Sequence, residues 1–345
     1  VVRLQAFRGL VPNADHRERS IDGAATGSQR LARRRRHPHN VAWLEAGDGI
    51  PPIDVDNWLR SGVLLEDDRP RLRWVEQRLP DGHHVAGLLG TVDLRDLVAH
   101  EQVDPAALRR RIERDRRQTT DVRPVLAVLG DDSPVLVELR ERLGHVRPEM
   151  EFKDDDGIEH RVTTLGDVDA VLATDAVAGM AALLADGHHR VAAALASGRR
   201  RLPTFLALSS TAPRLLPVWR IVVSDSRPDM LRAHLAAAGD PTGEITAHWL
   251  RQRTRRPAVD DLPVVAAERF ARSIPGLVRM TSSADPSVAA IAERDGAVVI
   301  GAPAPSVREV LERATGGGPL PAKSTAFHPK PRVGLVLARS RTTAD

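Results

Sequence analysis

The 345-residue chain has no cysteine. That rules out a disulfide scaffold, a thiolate zinc site and a cysteine nucleophile, and leaves the redox compartment open. No apolar run approaches the roughly 18 residues that cross a bilayer, and Val1–Pro12 lacks the layout of a signal peptide. A cytoplasmic address with no membrane partner is therefore expected. Aromatic residues make up only 3% of the chain, too few to build a base-stacking surface. Lysine is scarce too: Lys153, Lys323 and Lys330 are the only three among 50 basic residues. The sequence pI of about 10.3 thus reflects arginine, because 46 acidic residues hold the net charge to +4. The one dense basic run, Arg30 with Arg33–Arg36, reads as a solvated face or mobile arm rather than a nucleic-acid contact. Neither a Gly-x-Gly-x-x-Gly fingerprint nor a glycine-rich loop ending in Gly-Lys-Ser/Thr is present, so a bound nucleotide needs another kind of cradle.

What is there alternates between periods of two and of 3.6. Residues 13–40 are polar and aperiodic and read as a loop. A short helix at Asp54–Gly62 precedes a hairpin, Leu72–Leu79 and Val85–Leu94, turned at Pro80-Asp81-Gly82. A charged helix follows Pro105, then a buried strand at Val122–Leu129, a helix at Ser133–Leu143 and an acidic excursion at Glu149–Arg161. Apolar segments lead to Asp186-Gly187, a helix ends at Gly198, and Leu202–Leu208 is a strand. Strand Val218–Val223, helices from Pro228, Pro263 and Pro286, strand Ala297–Ile300, helix Ser306–Ala314 and a terminal apolar strand at Val333–Leu337 complete the chain. This order predicts an α/β fold with a mixed sheet.

Three segments can carry chemistry. Asp186-Gly187-His188-His189-Arg190 follows an apolar segment and opens a helix. A helix N-terminus offers unmet N–H groups and partial positive charge, so it holds phosphate or carboxylate; Gly187 permits close approach, Arg190 can add donors, and Asp186 can cap the helix or hold Mg²⁺. Asp81-Gly82-His83-His84 repeats four of those letters inside the hairpin, with no helix behind it, and reads as a turn only. Adjacent His188 and His189 diverge on a helix, whereas helical metal pairs are spaced i, i+4. His100-Glu101 lies beyond the apolar run ending at Val98, where a carboxylate can act as a general base. Lys323-Ser324-Thr325, in a proline-punctuated segment, can bind an anion.

Glu101 in "AHEQVDPAALRRRI", the strand "RPVLAVL", the turn-helix "DGHHRVAAALASG" and the strand "RLPTFLAL" resemble the core shared by ParB-like, sulfiredoxin-like and free-serine-kinase proteins, over about residues 88–210. "FRGLVPN", "LPVWRIVV" and "KSTAFHPKPRVGLVL" resemble the longer domain-of-unknown-function family DUF1015. The resemblance implies an N-terminal elaboration over 1–87, the nucleotide-binding core over 88–210 and a C-terminal α/β region over 211–345. It implies that the phosphates of ATP or ADP, with Mg²⁺, lie on Asp186–Arg190 while Glu101, beside His100, deprotonates the hydroxyl of L-serine. Arg220, Lys323, Ser324 and Thr325 become possible substrate or anion contacts. Two departures stand out: Ser20–Asn40 lacks the proline-proline-tyrosine-aspartate motif usual in the longer family, and Trp219 stands where a histidine often precedes the arginine, here Arg220. The expected function is a free serine kinase making O-phosphoserine; the alternative is a nucleotide-binding ParB-like regulatory or DNA-associated module without turnover.

Overall fold

The computed structural model describes residues 2–23, 27–47, 49–237 and 262–340. The fold is mixed α/β, in two units: residues 1–99, 103–213 and 329–345 form the first, and residues 100–102 with 214–328 the second. Among the described residues no helix is long and apolar enough to cross a membrane.

The first unit is organised by one nine-stranded mixed sheet. Its strands are β1 (Leu4–Gln5), β2 (Arg73–Arg78), β3 (His84–Asp93), β4 (Leu97–Val98), β5 (Val125–Leu129), β6 (Met150–Lys153), β7 (Glu159–Thr164), β8 (Ala182–Asp186) and β9 (Arg201–Ala207). The spatial order is β4-β8-β5-β9-β3-β2-β7-β6, with β1 paired to the far end of β3. Only β4–β8 and β5–β9 run parallel. Central β5 is buried along its whole length, which is why Val125–Leu129 is uninterrupted apolar sequence. The acidic excursion proves to be the β6–β7 hairpin at the sheet edge, its register set by Val162 opposite both Met150 and Val75. Helices α1 (Gly27–Arg36), α2 (Val55–Arg60), α3 (Pro105–Arg117), α4 (Pro134–Leu143), α5 (Asp167–Val177) and α6 (His188–Ala196) surround it. Asp54 caps α2 and Asp104 caps α3, each accepting a backbone N–H of the first turn.

Two expectations for this unit are overturned. The basic run is not a loop or mobile arm but helix α1, which buries Arg30 and Arg34 (2% exposed) while Arg35 and Arg36 stay on a solvated face. Arg34 lies over the Trp43 ring and donates to the carbonyls of Ala42 and Glu45, while Arg33 pairs with Asp22 and Arg30 with Glu45. A guanidinium supplies five donors on a flat, partly apolar plane, so these arginines fill the role that apolar side chains play in other helices and leave no hydrophobic period to read. Val333–Leu337 is not a strand either. Its ends make single bridges, Val333 to Asp22 and Leu337 to Leu10, and left-handed Gly334 bends the backbone between them while the apolar side chains still reach the core.

The second unit is a three-stranded antiparallel sheet, β11 (Leu277–Ser283) beside β10 (Val218–Ser224) beside β12 (Val298–Ala302). Strand β11 went unread because six of its seven residues are polar or exposed. Helix Pro228–Ala237 and helices α7 (Pro263–Ser273), α8 (Pro286–Arg294) and α9 (Val307–Gly316) also belong to the unit. Strand alternation sends Val222, Val298 and Ile300 to the α7 side and Ile221 and Val299 to the α8 side.

Candidate functional site

In the first unit, β8 runs into left-handed Gly187 (φ +111°), and α6 begins at His188. A Cβ at residue 187 would sit 3.0 Å from the Arg190 guanidinium, a tight contact, but it is the positive φ that calls for glycine. The β8–β5 register slips between Leu184 and Asp186, a bulge that re-aims the end of the strand just before the turn. Gly187, the residue before α6, has no side chain with which to cap the helix. Lys330 lies beside the turn, its Nζ 2.6 Å from Asp186 Oδ1. The decoy is a turn, as read: Gly82 is left-handed, Asp81 accepts the N–H of His83, and strand follows.

Two roles read from this motif change. Arg190 does not present its guanidinium at the helix start; it turns inward, 8% exposed, and donates to the carbonyls of Arg123 (2.8 Å) and Pro124 (3.0 Å) and to Asp186 (3.0 Å). Burial and the neighbouring Arg123 push its pKa down. Asp186 does not fit a protein-held Mg²⁺. Burial would raise its pKa, but Lys330, Arg190 and Arg123 outweigh that and hold it well below the usual carboxylate range, with both oxygens committed to cations. Among the described residues no group of three or more His, Asp or Glu side chains is placed to hold a metal ion.

In the second unit the structure joins two segments that the sequence leaves 222 residues apart. Glu101 pairs with Leu320 as a parallel bridge, and its carboxylate enters the Lys323–Thr325 loop. Oε1 accepts from Thr325 N (2.8 Å) and Thr325 Oγ1 (2.6 Å), and Oε2 accepts from Lys323 N (3.1 Å). The loop does bind an anion, and that anion is Glu101. Lys323 adopts φ +57°, the one non-glycine residue with positive φ among those described. Its strained backbone is fixed from both sides, the N–H by Glu101 and the carbonyl by Arg220 Nη1 at 2.9 Å. Fully buried His100 places Nε2 2.8 Å from Thr325 Oγ1, with the Phe327 ring beyond, so it positions the loop and has no access to a substrate.

Arg220 is likewise a correction. It is 1% exposed, ion-paired to Glu268 at 2.7 Å and bonded to Ser324 Oγ, itself 1% exposed, so neither side chain is a substrate contact. Burial pushes Arg220 down, opposed by Glu268 and Glu101. Glu268 was missed. Its signal is a carboxylate inside the apolar stripe Val264, Ala267 and Ala271 of α7, a placement that calls for a buried cation. Of the loop's three side chains, Lys323 is exposed and Thr325 half-buried.

Among solved structures, the chain resembles a mutant free serine kinase in complex with ADP, at 16% identity and a TM-score of 0.41, over 70% of this chain and 90% of that one. The free serine kinase in complex with AMP matches at 16% identity and a TM-score of 0.40 over the same shares. A conserved hypothetical protein from Pyrococcus furiosus matches at 15% and 0.39, over 72% of this chain and 95% of that one. No curated protein matches. The family described as "Protein of unknown function (DUF1015)" matches residues 31–212, more than half of the chain, and the chain therefore belongs to that family.

Proposed function

We propose that the protein is a nucleotide-dependent phosphotransferase acting on a small hydroxyl compound, with L-serine as the leading acceptor and O-phosphoserine as the product. The observation that carries this reading is the strand-to-helix turn at left-handed Gly187, where α6 begins, with Lys330 beside it. Phosphate oxygens accept from the first-turn N–H groups, and Lys330, once it exchanges Asp186 for the ligand, adds a mobile positive charge. Arg190 acts from behind the turn by holding Asp186 and the 123–124 carbonyls in place. Glu101 is the proposed base. Its carboxylate is held in place by Thr325 N, Thr325 Oγ1 and Lys323 N, which fix its orientation. In the reaction the hydroxyl oxygen bonds to the terminal phosphorus of ATP or ADP, the bridging P–O bond breaks to release ADP or AMP, and the hydroxyl proton passes to Glu101. The sequence resemblance of "DGHHRVAAALASG" and "AHEQ" to free serine kinases supports the same assignment. Burial of Arg30 and Arg34 and the pairing of Arg33 with Asp22 leave only Arg35 and Arg36 of the basic run exposed, which weakens the motive for the nucleic-acid alternative.

The test is incubation of the folded protein with L-serine, Mg²⁺ and either ATP or ADP, read by ³¹P NMR and mass spectrometry for O-phosphoserine. Absence of product with both nucleotides overturns the reading.

A further inference from the structure

Helices α3 and α6 pack against one another in the first unit, and beside them lies a small, strongly polar cavity of about 30 Å³. Six arginines line it: Arg30, Arg111, Arg114, Arg123, Arg190 and Arg199. Only three carboxylates do, and each already belongs to one of those arginines: Glu45 to Arg30 at 3.1 Å, Asp115 to Arg111 at 2.8 Å and Asp121 to Arg199. The cavity wall is therefore short of negative charge.

Two unmet donors face that deficit. Arg190, 8% exposed, keeps Nε without a hydrogen-bond partner even though its other nitrogens are engaged. Nε of Arg114 is also buried without a partner, and no carboxylate among the described residues lies within ion-pairing distance of its guanidinium. Arg114 is half-buried, and burial, reinforced by Arg111 and Arg30 and opposed by Glu45 and Asp115, pushes it down to about 10. A guanidinium stays charged at any ordinary pH, so it cannot relieve this situation by losing its proton. A guanidinium with a buried, unpartnered N–H and no ion pair is unfavourable, and a counter-anion in the cavity relieves it.

We propose that this cavity is a binding site for one small oxyanion of phosphate or sulfate size, held by Arg111, Arg114 and Arg190. Size sets the class. A water needs about 10–15 Å³, so about 30 Å³ holds two or three water-sized groups: it admits two or three oxygens of a compact oxyanion and has no room for a nucleoside. The site differs from the Gly187 turn: it lies along α6 where Arg190 and Ala194 face α3, not at the helix start. This inference does not depend on kinase activity.

The experiment is a calorimetric and thermal titration of the full chain with inorganic phosphate at constant ionic strength, from buffer free of phosphate and sulfate. Wild type binds one phosphate saturably, and its Tm rises with phosphate concentration. Arg114→Met, close in length and uncharged, weakens phosphate about tenfold or more, is no less stable than wild type in phosphate-free buffer because it removes a half-buried guanidinium that has no ion pair among the described residues, and keeps any stabilisation by ADP. Arg114→Gln serves in the same role if the methionine variant does not fold. No saturable phosphate binding by wild type overturns the proposal, as does equal phosphate affinity in the variant. Loss of phosphate binding by wild type in saturating ADP also overturns it, since it moves the anion to the turn. Failure of ADP to bind while phosphate still binds wild type and not Arg114→Met refutes the nucleotide reading and leaves this site standing.

Discussion

Replacing Glu101 by glutamine separates proton acceptance from loop anchoring. The carboxylate receives three donors, Thr325 N, Thr325 Oγ1 and Lys323 N. Glutamine offers one carbonyl oxygen. If that oxygen takes the Thr325 side, the new NH₂ faces the Lys323 N–H, donor against donor, and a charge-assisted bond worth about 1.5–3 kcal/mol is lost. Glu101→Gln should therefore lower stability by about that amount. It should also lower turnover about a hundredfold or more, because the amide cannot accept the hydroxyl proton, while nucleotide affinity stays near wild type. Thr325→Val is the matched control. It removes Oγ1, which bonds both Glu101 and His100, and so loosens the same loop while keeping the carboxylate. The assay is O-phosphoserine formation well below the Tm of each variant, with Tm and nucleotide affinity measured alongside. Equal turnover loss in Glu101→Gln and Thr325→Val refutes the base assignment, since the carboxylate would then matter only as an anchor.

Three further outcomes follow from the same structure. Lys330→Ala, which removes the cation beside the α6 N-terminus, should weaken ADP binding about tenfold or more, while His83→Ala in the decoy turn leaves it unchanged; equal calorimetric affinities would remove the turn assignment. Arg34→Ala should destabilise by about 3 kcal/mol or more, since buried carbonyls of Ala42 and Glu45 lose their donor, whereas exposed Arg36→Ala stays within about 0.5 kcal/mol; denaturant midpoints decide this, and equal shifts would restore the solvated-arm reading. Asp154 is held down to about 2: burial raises it, but His160, the Ile158 N–H and Arg332 prevail. Its folded pKa lies below the ordinary 3.8, so its contribution to stability is present above that value and is lost as pH falls toward 2. Asp154→Asn should flatten the fall in Tm over that window, and an unchanged acid limb would contradict the assignment.

Most elements were legible because their cause is local. The β2–β3 hairpin follows from Asp81-Gly82 between apolar runs, α3 from Asp104 and Pro105, and β5 from unbroken Val/Leu sequence. Legibility failed where burial is achieved by polar groups or without regular pairing. Helix α1 buries guanidiniums, β11 is exposed and polar, and Val333–Leu337 buries apolar side chains from a bent backbone.

The same division runs through the candidate site. The residue types, the strand-glycine-helix grammar at 182–196 and the need for glycine at 187 follow from sequence alone, because they depend on neighbours within a few positions. What each side chain does there was decided by tertiary structure. Arg190 turns to the 123–124 carbonyls, Lys330 comes to Asp186 across 144 residues, and Glu101 settles into amides of a loop that looked like an independent anion site. A donor or carboxylate binds whichever partner the packed chain delivers within about 3 Å, and sequence spacing carries no information about which that will be.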